Sequence, residues 1–187
     1  KGDTIILESC EYCNSFLSFR PTTAVILDIE EDHLDFFKDL ADIEHSFRTF
    51  ANLVPDDGLV IANADDRNTM DTLDGIDRPF ITFGMGSYAD VYCSEPVWER
   101  GLPTFGLYQG EEKVCTISLT IPGLHNVKNA LAAAAAALHM GIAPQFIAEG
   151  LHSYHGAERR FEYKGEINGA KVYDDYAHHP GEIHVLL

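Results

Sequence analysis

The 187-residue sequence is poor in positive charge. Thirteen Lys and Arg stand against 30 Asp and Glu, a formal net charge of −17. A surface that acidic repels phosphate backbones and anionic lipid, which argues against nucleic-acid binding and against docking on anionic membranes. No apolar run approaches the ~18 residues that a bilayer-spanning helix needs, and no basic-then-apolar leader opens the chain. Cysteine is scarce, four residues in 187, and a chain of this length and ordinary composition is not a disulfide-stapled miniprotein. Internal repeats, a collagen-like period and low-complexity linkers are all missing. The remainder is ordinary globular composition, 45% hydrophobic, 11% aromatic and 23% charged, with length for one domain or one domain and a part.

The acid is unevenly spread: residues 28–77 hold 15 of the 30 carboxylates and only three basic residues, Lys38, Arg48 and Arg67. Most of such a run is solvated helix surface. A few of these carboxylates are also placed to converge on a cation.

The cysteines give little. Cys10-Glu-Tyr-Cys13 is a C-x-x-C, but a structural zinc site needs a second ligand pair, and Cys93 and Cys115 are isolated in different expected strands. A redox pair fits loosely, at the end of a strand, yet the acidic, bulky Glu-Tyr between the sulfurs disfavours a thiolate. The expectation is four reduced thiols in a cytoplasmic protein.

Thr4–Glu8, Thr22–Ile29, Gly58–Asn63 and Phe80–Gly84 are short Val/Ile/Leu-rich runs of the kind that a parallel sheet buried on both faces requires. Helical periodicity runs over Asp35–Leu53, and a shorter helix is expected over Ala64–Leu73. The alternation predicts an α/β fold, a mostly parallel buried sheet flanked by helices. After Gly84 the texture changes. Ala89–Ser94, Leu102–Gln109 and Lys113–Thr120 are expected to form a small antiparallel β-sheet attached to the main one. Helices follow over His125–Met140 and Ala143–Leu151. Arg160–Glu166 and Ala170–Asp174 then form a hairpin around Asn168-Gly169.

Three strings carry chemistry. Asp28-Ile-Glu-Glu-Asp32-His33-Leu-Asp35 follows a buried strand, where α/β sheets bind ligands, and Glu8 ends a neighbouring apolar run facing the same crevice. Carboxylates from two strand ends suit Mg²⁺, with His33 a less usual addition. Gly123-Leu-His125-Asn126-Val-Lys-Asn129 opens the Ala-rich helix. His125 and Asn129 share one face, and Asn126 is either a helix cap or, with them, part of a nucleotide site. Arg159-Arg160-Phe161-Glu162 and Asp174-Asp175-Tyr176-Ala-His178-His179-Pro180 complete the set. An arginine in so acidic a chain suits a phosphate, and Asp175 could bridge two ribose hydroxyls. Their plainer readings are a polar turn and a helix start with Pro in its first turn.

Together, ESCEYCNSFLSFRP, DIEEDHLDFF, IPGLHNVKNALAA and GAERRFEYKGEINGAKVYDDYAHHPGEI, in this order, resemble the Mur ligase family over essentially the whole chain. DDYAHHP after RRFE is most similar to the member that joins L-alanine to UDP-N-acetylmuramate in peptidoglycan precursor synthesis. The resemblance implies a P-loop-NTPase-like central domain over residues 1–155 and the beginning of the amino-acid-binding domain over 156–187. It implies ATP and Mg²⁺ as cofactors and a bacterial cytoplasmic location. By the same resemblance Glu8 and His33 ligate Mg²⁺, and His125, Asn126 and Asn129 lie by the nucleotide. Arg160 reaches the γ-phosphate, Asp175 takes the ribose, Tyr176 lies near the adenine, and His178 near the incoming amino acid. Arg160 and His178 are the residues expected to act in catalysis. Alternatives are another ligase of the family, such as one joining a whole peptide to muramic acid, or a non-catalytic nucleotide- or metal-binding module.

Two departures stand out. The family usually has Asn where Asp28 stands. No G-x-x-x-x-G-K-[ST] phosphate loop occurs in the 187 residues. The expectation is that this loop lies upstream of Lys1, and that the chain is a fragment unable to catalyse the reaction alone.

Overall fold

Val, Ile and Leu at successive positions make strands that are buried on both faces, and three such runs lie side by side in the computed structural model, which describes residues 4–178 and Ile183. Strands β1 (Thr23–Ile26), β2 (Leu59–Asn63) and β3 (Phe80–Gly84) are parallel, with Val25 opposite Ile61 and Ile61 opposite Ile81. β2 is buried at all five positions, as expected of a strand covered on both sides. β4 (Val91–Cys93) adds in parallel to β3. The sheet then changes sense: β6 (Leu102–Gln109) runs antiparallel to β4 and pairs with both β5 (Val97–Glu99) and β7 (Glu112–Ser118). The spatial order is β1-β2-β3-β4-β6-β5, with β7 also on β6.

One face is covered by helix α1 (Leu40–Ala51), α2 (Arg67–Leu73) and a 3₁₀ segment over Tyr12–Ser18. There Phe16 stacks on Phe50 beside Ile26, Ile43 and Val60. The other face is covered by α3 (Leu124–His139), whose Val127, Ala130, Leu131, Ala134 and Ala135 pack on Ile61, Phe83 and Leu107. Alanine side chains let this helix lie close on the sheet, which is the packing role of the Ala132–Ala137 run. α4 (Pro144–Ser153) rests against β7. β8 (Glu162–Ile167) and β9 (Ala170–Asp174) form a separate two-stranded sheet. Asn168 (φ 53°) and Gly169 (φ 83°) both take the left-handed conformation of its two-residue turn.

Several boundaries differ from expectation. Thr4–Glu8 forms no strand, and Ile5 (81%) and Ile6 (89%) are solvent-exposed. An apolar run shows only that a segment can be buried; a strand also needs a neighbouring edge, and no ladder takes this one. The first helix begins at Leu40 rather than near Asp35, because the Asp39 side chain caps it by accepting from Asp42 N at 3.0 Å. Phe36 and Phe37 sit in the preceding turn, although Phe37 is still buried. β5 had no sequence signal: it is three residues long and exposed throughout. Among the described residues no helix is long and apolar enough to cross a membrane. The expected helix start at His179-Pro180 lies outside the described residues.

Candidate functional site

The carboxyl ends of β1, β2 and β3 open onto one crevice, and polar side chains pin the loops around it. Asn63, buried at the end of β2, donates from Nδ2 to Leu27 O at 2.7 Å. Asn68 Nδ2 donates to Ile29 O at 2.7 Å. Asp66 caps α2, accepting from Thr69 N (2.8 Å) and Thr69 Oγ1 (2.6 Å), and also accepts from Ile29 N at 3.2 Å. The backbone on either side of Asp28 is therefore held by three side chains from the β2–α2 corner. Asp28 carries a raised pKa, first because the loop desolvates it and then because Glu30, Asp66 and Glu11 repel its charge, with Lys128 acting the other way.

His33 stands beyond this loop in a left-handed conformation (φ 53°). Its amide donates to Asp32 Oδ1 at 2.6 Å, and its carbonyl accepts from Phe36 N (2.8 Å) and Phe37 N (3.0 Å). The Tyr12 ring packs 4.6 Å from the imidazole, while the Tyr12 hydroxyl donates to Asp35 Oδ2 at 2.9 Å. The Asp35 carboxylate accepting that bond also pushes the Tyr12 pKa up. His33 Nε2 lies 3.3 Å from Glu11 Oε1 and 3.7 Å from Asp32 Oδ2. The oxygens brought to His33 thus belong to Glu11 and Asp32. Glu8, expected as its partner, is exposed and makes no hydrogen bond or ion pair among the described residues.

The start of α3 forms the next wall. Gly123 takes φ 101°, and a Cβ there would fall 2.5 Å from the His125 ring, so glycine lets the imidazole fold back over the helix start. Asn126 is not the cap: Gly123 occupies that position, and the Asn126 amide donates to Pro122 O at 2.6 Å. Asn129 is exposed one turn further along. Lys128 ties this wall to the sheet through Asp65 Oδ2 at 3.5 Å. Asp65 in turn accepts from Met85 N (3.1 Å) and from the Tyr88 hydroxyl, which raises the Tyr88 pKa to about 12.

The β8–β9 hairpin and the residues flanking it carry the last group of candidate residues. Asp175 accepts from Phe161 N and from Ala177 N, each at 2.7 Å, through different oxygens. Each oxygen keeps a lone pair for a ligand. The Arg159 guanidinium lies 4.4 Å over the Tyr176 ring, and Tyr176 N donates to Arg159 O at 2.8 Å. Tyr176 and His178 pack edge to face at 5.1 Å. Across the gap, the His125 pKa is lowered, first by partial desolvation; Asp175 opposes that shift and Arg160 adds to it. His125, Arg160 and Asp175 therefore share one electrostatic neighbourhood despite lying up to 50 positions apart in the sequence.

Four contributors carried no expectation: Glu11, Tyr12, Asp66 and Lys128. Asp66 was readable as a cap by residue type, although the helix was expected from Ala64 and begins at Arg67. The other three are placed by contacts distant in sequence, which no spacing rule reports.

The chain has relatives among known proteins. The family model described as Mur ligase middle domain matches residues 2–137. A UDP-N-acetylmuramate--L-alanine ligase from Clostridium novyi is 47% identical over 186 residues, covering 100% of this chain and 40% of the relative. The chain thus spans about 40% of the length of that curated relative. Among solved structures, UDP-N-acetylmuramate-alanine ligase from Thermotoga maritima superposes with a TM-score of 0.75 at 28% identity, over 92% of this chain and 39% of that one. MurF from Acinetobacter baumannii gives 0.80 at 25% identity, over 91% and 37%.

Proposed function

The chain belongs to the Mur ligase family, matching its middle domain, and from that premise we propose that it is the nucleotide-handling part of an ATP-dependent carboxylate–amine ligase acting on UDP-N-acetylmuramate and L-alanine. The observation that carries this reading is that Asp175 and Arg160 of the hairpin region both act electrostatically on His125, at the start of α3. A carboxylate with an open lone pair, a guanidinium and a neutral imidazole form a donor set that fits ribose hydroxyls and a terminal phosphate. The residue types fit a divalent cation: the His33 imidazole and the exposed Glu8 carboxylate are open to ligands, and Asp28 is crowded by like charge.

In this proposal residues 1–155 form the central domain, and residues 156–187 begin the amino-acid-binding domain. Support for that division comes from the family match ending at 137 and from β8 and β9 pairing only with each other. Glu8 and His33 hold Mg²⁺, which neutralises phosphate charge when bound. Asp175 orients the ribose, and Asn126 and Asn129 lie along the nucleotide with His125. Tyr176, its ring braced by Arg159, offers a face to the adenine. Arg160 draws negative charge off the γ-phosphate as the lactyl carboxylate attacks it. That step forms an acyl phosphate and releases ADP; the amine of L-alanine then attacks the acyl carbon, and inorganic phosphate leaves as the amide forms. His178 positions the amino acid. A bacterial cytoplasmic location follows from the same reading.

The test is product formation by the full-length protein carrying this chain, with UDP-N-acetylmuramate, ATP and, in turn, L-alanine, glycine, L-serine and a tripeptide. ADP release that requires L-alanine supports the proposal. Preference for the tripeptide would reassign the substrate to a peptide ligase, and no ADP release with any acceptor would refute the ligase reading.

A further inference from the structure

We propose that Cys10, Glu11 and His33 form a binding site for a thiophilic divalent cation of the zinc class, distinct from the Mg²⁺ coordination proposed for Glu8 and His33. One ligand atom from each of the three residues lies within 4.8 Å of the other two. Glu11 Oε1 and His33 Nε2 are 3.3 Å apart. Zinc bound to nitrogen and carboxylate oxygen at about 2.0–2.1 Å in a tetrahedron places those atoms ~3.3 Å from each other. Asp32 Oδ2, 3.7 Å from the same nitrogen, is next in line for the fourth position.

The chemistry of the set is selective. Thiolate, imidazole and carboxylate together suit zinc, whereas Mg²⁺ prefers oxygen and leaves a sulfur ligand unused. Both ends of the cluster are held on fixed backbone. The Cys10 carbonyl accepts from Phe16 N at 3.0 Å and Ser15 Oγ at 2.9 Å, and the Tyr12 ring backs the imidazole. Cys10 itself is exposed, so the thiol is open to an incoming ion, and binding releases its proton to solvent. The C-x-x-C spacing points to Cys13 as the partner sulfur. Cys13 instead takes a left-handed turn (φ 55°) and is not among the atoms that meet. Resting on the ligase reading, an ion held here occupies the imidazole that Mg²⁺ would use, so it inhibits turnover.

Cobalt(II) titration of the full-length protein carrying this chain, under a non-chelating reductant, tests the site without any ligase assay. The expected result is one equivalent bound, with a thiolate-to-cobalt charge-transfer band in the near ultraviolet that stoichiometric Zn²⁺ removes. Cys10→Ser and Cys10→Ala both abolish the band while the far-ultraviolet circular dichroism is unchanged. Glu11→Gln and His33→Ala keep the sulfur but weaken binding at least tenfold, and Cys13→Ser leaves the titration unaltered. No charge-transfer band, or a band that survives loss of Cys10, or one that also needs Cys13, overturns the proposal. Each of these results leaves the ligase reading untouched, because that reading stands on ADP release.

Discussion

Replacing Asp66 by alanine tests whether the crevice is built by the β2–α2 corner. The side chain makes three bonds, to Thr69 N (2.8 Å), Thr69 Oγ1 (2.6 Å) and Ile29 N (3.2 Å). Losing the helix cap costs about 1 kcal/mol. Thr69 is fully buried, so its orphaned hydroxyl adds roughly 1–3 kcal/mol of uncompensated desolvation. Ile29 is buried as well, so its amide loses its partner at 3.2 Å with no water to replace it, which adds about another 1 kcal/mol. The expected sum is about 3–5 kcal/mol, which for a domain of this size lowers the melting temperature by roughly 6–20 °C. Urea denaturation measures it, with the midpoint falling and the slope unchanged. The Thr69→Val variant supplies the control. With the hydroxyl already gone, Asp66→Ala costs less in the Thr69→Val background, and the double-mutant cycle shows coupling of about 1 kcal/mol. A loss below ~0.5 kcal/mol, or strict additivity with Thr69→Val, refutes the assigned role.

Other outcomes follow from the same geometry. Gly123→Ala forces φ 101° on a residue with a Cβ and drives that carbon to 2.5 Å from the His125 ring; it should cost about 1–2 kcal/mol in urea denaturation and displace the His125 resonances. The lowered pKa of His125 means that the unfolded state takes up this proton first. Its contribution to stability is therefore present above the unfolded-state value and lost as pH falls through the folded-state value. An NMR titration should show the His125 pKa falling further in Asp175→Asn and rising in Arg160→Gln. Asp65→Asn removes the carboxylate that holds the Tyr88 pKa at about 12; ultraviolet titration should find Tyr88 ionising nearer the ordinary tyrosine range, at about pH 10.

Much of the fold was legible in the sequence, and for local reasons. Val60 and Ile61 need burial on both faces wherever they lie, so a parallel strand was readable. Asn168-Gly169 needs positive φ twice, so the hairpin was readable too. The Thr4–Glu8 run looked the same as these by composition, but strand formation depends on a neighbouring edge, which no run of five residues reports. The helix start shifted to Leu40 because the Asp39 cap outweighed a periodicity that Phe36 and Phe37 continue by accident. At the site, residue types were legible but their partners were not. His33 stood out as an imidazole among carboxylates, whereas its pairing with Glu11, 22 positions away, arises from the fold of the Tyr12–Ser18 segment. Asn126 looked like a cap because amides cap helices, and the left-handed Gly123 took that place instead.

A ligase that activates a carboxylate through an acyl phosphate moves one carboxylate oxygen into inorganic phosphate. Oxygen-18 in the lactyl carboxylate of UDP-N-acetylmuramate reports on it directly in the full-length protein. If the carboxylate attacks the γ-phosphate, one labelled oxygen becomes the bridging atom and leaves with inorganic phosphate when L-alanine attacks. Mass spectrometry should therefore find one oxygen-18 in the phosphate for each amide formed. Phosphate that carries no label while amide accumulates would refute the acyl-phosphate route.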